Sequence, residues 1–151
     1  MNRLKFILAN IAWLLALSLL LSSSELLSIG LDSDGKLPLG TLITWWGFIG
    51  LAYVSTRSIS ILRMPNSIWE KSISVLGTIG FYAACIWPLL GWLLAGNLSF
   101  EFTSAAPGFR GSPEASVWFW DLNYAIPFVC LIAFITGGAT MLLRRFRGKQ
   151  G

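Results

Sequence analysis

Two acidic residues interrupt long apolar stretches of the sequence, and they are its strongest candidates for chemistry. Glu25 lies near the end of the first stretch, and Asp121 lies near the start of the last. Inside a membrane a charged side chain costs about 2.5–3.5 kcal/mol at the bilayer centre, and such residues mark pathways for ions or protons. Arg110 is the basic residue placed to act as counter-ion for either acid.

Each acid also has a structural interpretation. Asp121 would lie in the first turn of the last helix, where the helix dipole stabilises a negative charge. Glu25 continues a polar stripe with Ser18 and Ser22 at the spacing i, i+4, i+7. That stripe predicts one polar face of the first helix turned toward protein. For both residues the functional and the structural interpretation stay open.

Two prolines predict bends in the helices beside these acids. Pro88 and Pro127 each remove an intrahelical hydrogen bond in the outer half of a predicted helix. Two bent helices would open an outward-facing cavity with Asn123 and Tyr124 on its wall. Membrane helices tolerate proline widely, so kinks that serve packing alone are the alternative.

Residue types that are missing limit the chemistry further. The sequence contains no histidine, which removes imidazole-ligated haem, the common zinc sites and any nucleophile activated by histidine. Its two cysteines, Cys85 and Cys130, fall in the middle of predicted helices and are interpreted as small apolar packing residues. The segment 32–35 is typical of a turn and lacks the distal glutamate of a calcium loop. We therefore expect no metal and no cofactor, and we favour a protein that is not an enzyme.

The elements that carry these residues are four long apolar segments. The chain of 151 residues is 55% hydrophobic and 12% charged, against about 25% charged in a typical soluble domain, and its mean hydropathy is +0.69. A helix of about 20 residues crosses a hydrocarbon core of about 30 Å, and four segments are long enough: 6–29, 38–56, 72–96 and 117–143. They do not alternate apolar and polar residues as barrel strands would. The sequence therefore predicts a single integral membrane domain over 1–151, an all-helical bundle of four transmembrane helices.

Basic residues indicate which ends of the predicted helices share a side of the membrane. Most lie in the N-terminus, in 57–71 and in the C-terminal tail: Arg3, Lys5, Arg57, Arg63, Lys71, Arg144, Arg145, Arg147 and Lys149. The segments 30–37 and 97–116 hold only Lys36 and Arg110. Because short cytoplasmic loops are rich in Lys and Arg, both termini are predicted to be cytoplasmic, in a multi-pass protein of the bacterial inner (plasma) membrane. The same asymmetry explains the net charge of +4, so no nucleic acid partner is expected.

The longest predicted loop, 97–116, lies outside the membrane between the third and fourth helices. Its prolines and glycines argue against a long regular element. Phe100, Phe102 and Phe109 argue against a loop that is freely solvated. We predict a cap that folds over the outer end of the bundle or docks on a partner.

Small residues recur at three- and four-residue steps along two of the predicted helices. They are Gly77, Gly80, Ala84 and Gly91 in the third helix, and Gly47 and Gly50 in the second. Small residues let helix backbones approach closely, which favours association in lipid, where the hydrophobic effect is absent. These rows predict a compact bundle, and they suit contacts with a second membrane protein equally well.

Three classes of function fit this inventory. The favoured class is a non-catalytic membrane protein that acts through its helices and outer loop, as an accessory subunit, an assembly factor or an immunity-type binder of a larger membrane system. Its expected partners are the lipid bilayer and either another membrane protein or further copies of this chain. The second class is a small oligomeric transporter or channel that uses Glu25 or Asp121. The third is a membrane enzyme that acts on lipid or quinone without histidine.

Overall fold

The described part of the chain folds into four long helices. The computed structural model describes residues 3–33, 37–57, 65, 67–98 and 109–147. The long helices are α1 (Arg3–Leu21), α2 (Leu39–Arg57), α3 (Ile68–Ala95) and α4 (Pro113–Arg147). All four are long and apolar enough to cross a membrane, which confirms the helical character of the predicted fold.

The first helix is shorter than the sequence predicts. α1 ends at Leu21, where three consecutive serines offer the backbone hydrogen bonds that compete with a helix. Ser23 has a positive φ of 48°, and Ser24 caps a short 3₁₀ turn, Glu25–Ser28. Glu25 is therefore not on α1. The sequence analysis predicted that Ser18, Ser22 and Glu25 form a polar stripe on one face of the first helix. That prediction is wrong, because the helix ends before Ser22.

Two hydrogen bonds join the two ends of the connection between the 3₁₀ segment and α2. The backbone N–H of Leu31 donates to the Leu37 carbonyl at 2.8 Å. The Asp32 carboxylate accepts a further bond, from the Leu37 N–H, at 2.8 Å. Asp32 thus helps to close a turn, as the sequence predicts, although residues 34–36 lie outside the described residues.

α3 and α4 begin four residues earlier than predicted, and local capping explains where they start and end. The Ser67 hydroxyl accepts a bond from the Glu70 N–H at 3.3 Å, and the Glu70 carboxylate accepts one from the Ser67 N–H at 3.4 Å. This reciprocal pair starts α3 by satisfying two backbone donors that a helix start leaves free. α3 ends at Ala95 and is capped by Gly96, whose φ of 74° favours glycine. α4 starts with Pro113 in its first turn, a favoured position for proline, and runs to Arg147.

α2 is the central helix, since it packs against α1, α3 and α4. Two of its glycines allow α1 to approach closely. A Cβ on Gly47 would overlap the Cβ of Ala16, and one on Gly50 would lie 2.5 Å from the carbonyl oxygen of Ala9. The residue numbers rise on α2 as they fall on α1, so the two helices are antiparallel.

α3 and α4 form a second antiparallel contact through small residues. Three glycines of α3 each face a residue of α4: Gly77 faces Ala133, Gly80 faces Cys130 and Gly91 faces Phe119. Ala84, on the same face of α3, is fully buried. The small-residue rows therefore lie between helices of this chain, where a second membrane protein has no access to them.

Cations gather at one end of the bundle, which we call the cationic end. The starts of α1 and α3 and the ends of α2 and α4 meet there, and they carry Arg3, Lys5, Arg57, Lys71, Arg144 and Arg145. All six side chains are exposed. At the opposite end, Arg110 is the basic residue among those the structure describes, and Glu25, Asp32 and Glu114 are acidic.

Candidate functional site: a mostly apolar cavity with unused polar groups

A large cavity lies between α1, α2 and α4, in the half of the bundle away from the cationic end. Its volume is about 710 Å³, within the roughly 300–1,000 Å³ of typical ligand sites. The cavity exists because α1 packs mainly on α2 and leaves the space beside α4 unfilled. Its walls are mostly hydrocarbon and aromatic, and include Trp13, Leu17, Leu20, Phe48, Leu51 and Leu131. No lining residue is an acid, a base or a cysteine.

The Asn123 side chain supplies a polar group to the cavity wall. Its Oδ1 accepts a hydrogen bond from the indole N–H of Trp87, a buried residue. Because an indole nitrogen only donates, this contact fixes which end of the amide is oxygen. The amide nitrogen of Asn123 points the other way and makes no hydrogen bond with any described residue. Asn123 thus keeps two N–H donors unused beside the cavity.

Thr44 also lines the cavity, and its hydroxyl is buried without a partner in the described part of the chain. Six other hydroxyl residues in these helices each donate to the carbonyl four residues earlier at 2.6–3.0 Å: Ser55, Thr56, Ser72, Thr78, Thr136 and Thr140. Thr44 makes no such bond. An unpaired buried polar group costs about 1–3 kcal/mol, so Thr44 is an exception among the hydroxyl residues of these helices.

Aromatic side chains form one rim of the cavity. The rings of Trp120 and Tyr124 stack with their centroids 6.1 Å apart and their planes 29° apart. Both residues line the cavity, and Tyr124 is exposed on its outer side. Across the cavity, the Trp13 indole N–H donates to the Asn10 amide oxygen at 3.3 Å, so Trp13 presents its ring to the cavity while its donor is in use.

The structure divides the residues that the sequence singled out. Asn123 and Tyr124 line the cavity, together with Pro127 of α4. Glu25 and Asp121 are exposed and do not line it.

Arg110, the predicted counter-ion, is also exposed. Its backbone N–H donates to the Ala95 carbonyl at 2.7 Å, and its side chain passes beside Gly96. Among the described residues it forms an ion pair with neither Glu25 nor Asp121. A functional role for those two acids stays a prediction.

One buried acid escaped the sequence analysis. Glu70 is 1% exposed, and its carboxylate contacts the Arg144 guanidinium at 2.5 Å while it caps α3. The pair connects the start of α3 to the end of α4 at the cationic end. The spacing of Ser67 and Glu70 matches a capping box. This signal in the sequence could have predicted that the third helix begins before Glu70.

The outer loop is described only at its two ends. Phe109 packs against the core formed by Trp87, Phe119 and their neighbours, in agreement with the predicted cap. Phe100 and Phe102 lie outside the described residues.

No family model, no curated protein and no solved structure matches this chain.

Proposed function

We propose that this chain is a non-catalytic integral membrane protein that acts by binding, and that the cavity between α1, α2 and α4 holds a lipid-soluble amphiphile. The observation that carries the proposal is a mostly apolar wall that holds the unused N–H donors of Asn123 and the unpaired hydroxyl of Thr44. Few, well-placed polar groups in a hydrophobic cavity are typical of sites that orient a small ligand.

The chemistry of the wall defines the ligand class. Asn123 offers N–H donors, so the ligand's polar group is an acceptor such as a carbonyl or ether oxygen. The stacked rings of Trp120 and Tyr124 provide a flat surface for an unsaturated or aromatic head. Leu17, Leu51 and the other hydrocarbon walls suit an acyl or isoprenoid tail.

Catalysis and ion transport lack support from this cavity. A proton or ion pathway uses ionisable groups within the membrane, and an acid–base enzyme needs a group that titrates beside its substrate. The residues that line the cavity include no carboxylate, no basic group and no thiol. Binding without chemistry is the function that such a wall supports best.

Native mass spectrometry of the purified full chain tests the proposal. A Leu17→Trp variant fills the cavity, and Leu15→Trp adds the same bulk to an exposed position of α1 that does not line it. We expect the wild type and Leu15→Trp to retain one lipid-soluble species that Leu17→Trp loses. Equal retention by all three proteins would refute the assignment of the cavity.

We further propose that both termini face the cytoplasm and that the protein resides in the bacterial inner membrane. The gathering of exposed Lys and Arg at one end of the bundle supports this orientation, because cytoplasmic segments are enriched in those residues. Reporter fusions after Leu143 distinguish the two orientations. A periplasmic reporter at that position should be inactive and a cytoplasmic one active.

An accessory-subunit role is the second candidate, and the placement of α1 favours it. α1 packs mainly on α2, and the remainder of its surface carries exposed apolar side chains such as Leu4, Leu8 and Ile11. A partner helix would cover this face more closely than lipid does. Purification in mild detergent should then recover a stoichiometric membrane partner, and Leu8→Trp with Ile11→Trp should release it while leaving the cavity ligand in place.

A further inference from the structure

A second groove, between α2 and α3, differs from the cavity in its chemistry. It measures about 290 Å³, and most of its lining residues carry a polar group: Tyr53, Thr56, Arg57, Ser74, Thr78 and Tyr82. The remaining lining residue is Phe81. We call this space the hydroxyl groove. Its polarity is unusual for the outer surface of a membrane-embedded bundle, where hydroxyl-bearing faces usually turn toward protein.

The hydroxyl groove opens toward the cationic end. Arg57 is the last residue of α2, and Tyr53 lies one turn before it. On α3, Ser74 and Thr78 are one turn apart and lie in the first three turns of the helix. Arg57 is therefore placed at the end of the groove nearest the cationic end, and Tyr53 and Tyr82 lie farther along the two helices from that end.

Three side chains in the groove have donors that no described residue uses. Arg57 is exposed and forms no ion pair within the described ranges. The phenol hydroxyls of Tyr53 and Tyr82 likewise make no hydrogen bond with a described residue. A guanidinium presents a planar fork of N–H groups that matches the oxygens of a phosphate. These unused donors favour an anionic ligand with several acceptor oxygens.

Two threonines supply complementary acceptors. The Thr56 hydroxyl donates to the Ala52 carbonyl, and the Thr78 hydroxyl donates to the Ser74 carbonyl, both at 2.8 Å. Each hydroxyl oxygen retains lone pairs that accept a bond from a ligand O–H or N–H. The groove therefore offers donors to a phosphate and its esters, and acceptors to the polar substituent of a headgroup.

We propose that the hydroxyl groove binds an anionic glycerophospholipid. Arg57 binds the phosphate, Tyr53 and Tyr82 donate to the ester oxygens of the glycerol, and Phe81 lies against the first carbons of an acyl chain. Basic pockets between helices on the cytoplasmic side recognise anionic lipid headgroups in this manner. If Arg57 only set the orientation of the protein in the membrane, it would not require the five hydroxyl residues that line the groove beside it.

Native mass spectrometry of the full chain, in micelles that contain phosphatidylglycerol and phosphatidylcholine with identical acyl chains, tests this site. The wild type should retain one phosphatidylglycerol in preference to phosphatidylcholine. Arg57→Gln should lower that retention about tenfold, because it removes a charge-assisted, bidentate contact. Arg145→Gln removes the same charge at the same end but does not line the groove, and it should change retention less than about twofold.

A second variant tests the site independently, in case Arg57→Gln loses the lipid because it is misfolded. Tyr82 is 63% exposed, so Tyr82→Phe should leave the fold unchanged and still weaken retention of phosphatidylglycerol severalfold. An equal effect of Arg57→Gln and Arg145→Gln would show general attraction to the cationic end and overturn the proposal. So would wild-type retention of phosphatidylcholine at the same level, or displacement of the lipid by millimolar inorganic phosphate, which would identify free phosphate as the ligand.

Discussion

Thr44→Val tests whether the cavity keeps an unused hydroxyl for a ligand. Valine resembles threonine in shape but has no hydroxyl to leave unpaired. In the folded chain the Thr44 hydroxyl is buried without a partner among the described residues. In a separated membrane helix it is free to donate to the carbonyl four residues earlier, as threonines in helices do. Folding of the wild type therefore loses one hydrogen bond, and folding of the variant does not.

The size of the effect follows from this exchange. A buried polar group without a partner costs about 1–3 kcal/mol, but hydrogen bonds inside membrane bundles average roughly 0.6 kcal/mol and reach about 1.7 kcal/mol. We therefore expect ligand-free Thr44→Val to be about 1 kcal/mol more stable than the wild type, which shifts the folding equilibrium about fivefold. Ligand affinity should fall at the same time, by about fivefold, because the ligand loses a hydrogen bond of similar size.

Unfolding by sodium dodecyl sulfate in mixed micelles, followed by tryptophan fluorescence, measures the stability of the delipidated protein. Thr136→Val is the matched control, because Thr136 already donates to the Ile132 carbonyl at 2.6 Å and does not line the cavity. Its stability should stay within about 0.5 kcal/mol of wild type. The reasoning fails if Thr44→Val is destabilising, or if it stabilises the protein no more than Thr136→Val does.

Two further predictions concern packing and charge within the bundle. Gly47→Ala should destabilise the bundle by about 1–2 kcal/mol, because the new Cβ would overlap the Cβ of Ala16. A Cβ at Gly138 would meet no atom within 4 Å, so Gly138→Ala should leave the stability unchanged or raise it by up to about 1 kcal/mol. The same detergent unfolding measures both variants. Arg144→Gln should cost about 1–2 kcal/mol, less than a fully buried pair because 45% of the arginine is exposed, and Glu70→Gln in the same chain should recover part of that loss. A single Arg144 variant as stable as wild type would show that the Glu70 carboxylate is held by its other contacts alone.

The helices were predictable because lipid leaves the backbone few choices. Four apolar segments of sufficient length had to form helices that satisfy their own hydrogen bonds, and the structure contains four such helices. Their ends were less predictable, because local capping decides them. Ser23 and Ser24 end α1 and start a 3₁₀ turn, and Ser67 with Glu70 starts α3 before the apolar run begins.

The cavity could be predicted only in part. Asn123 and Tyr124 were singled out as wall residues from the nearby proline, and both line the cavity with Pro127. The sequence gives no measure of how far α1 lies from α4, since that distance depends on packing across α2. Thr44 was overlooked for a related reason: in sequence it is one of several threonines in helices, and only its missing hydrogen bond distinguishes it.

Site-specific photo-crosslinking in intact membranes tests most directly whether the cavity holds its own ligand. Benzoylphenylalanine at Leu17 places the reactive group in the cavity, and at Leu15 it places the group on the exposed face of the same helix; the two native side chains are 44% and 52% exposed. We predict that Leu17 captures one lipid-soluble species, at a yield that Thr44→Val lowers, while Leu15 captures the bulk lipid mixture. The same mixture at both positions would contradict the account.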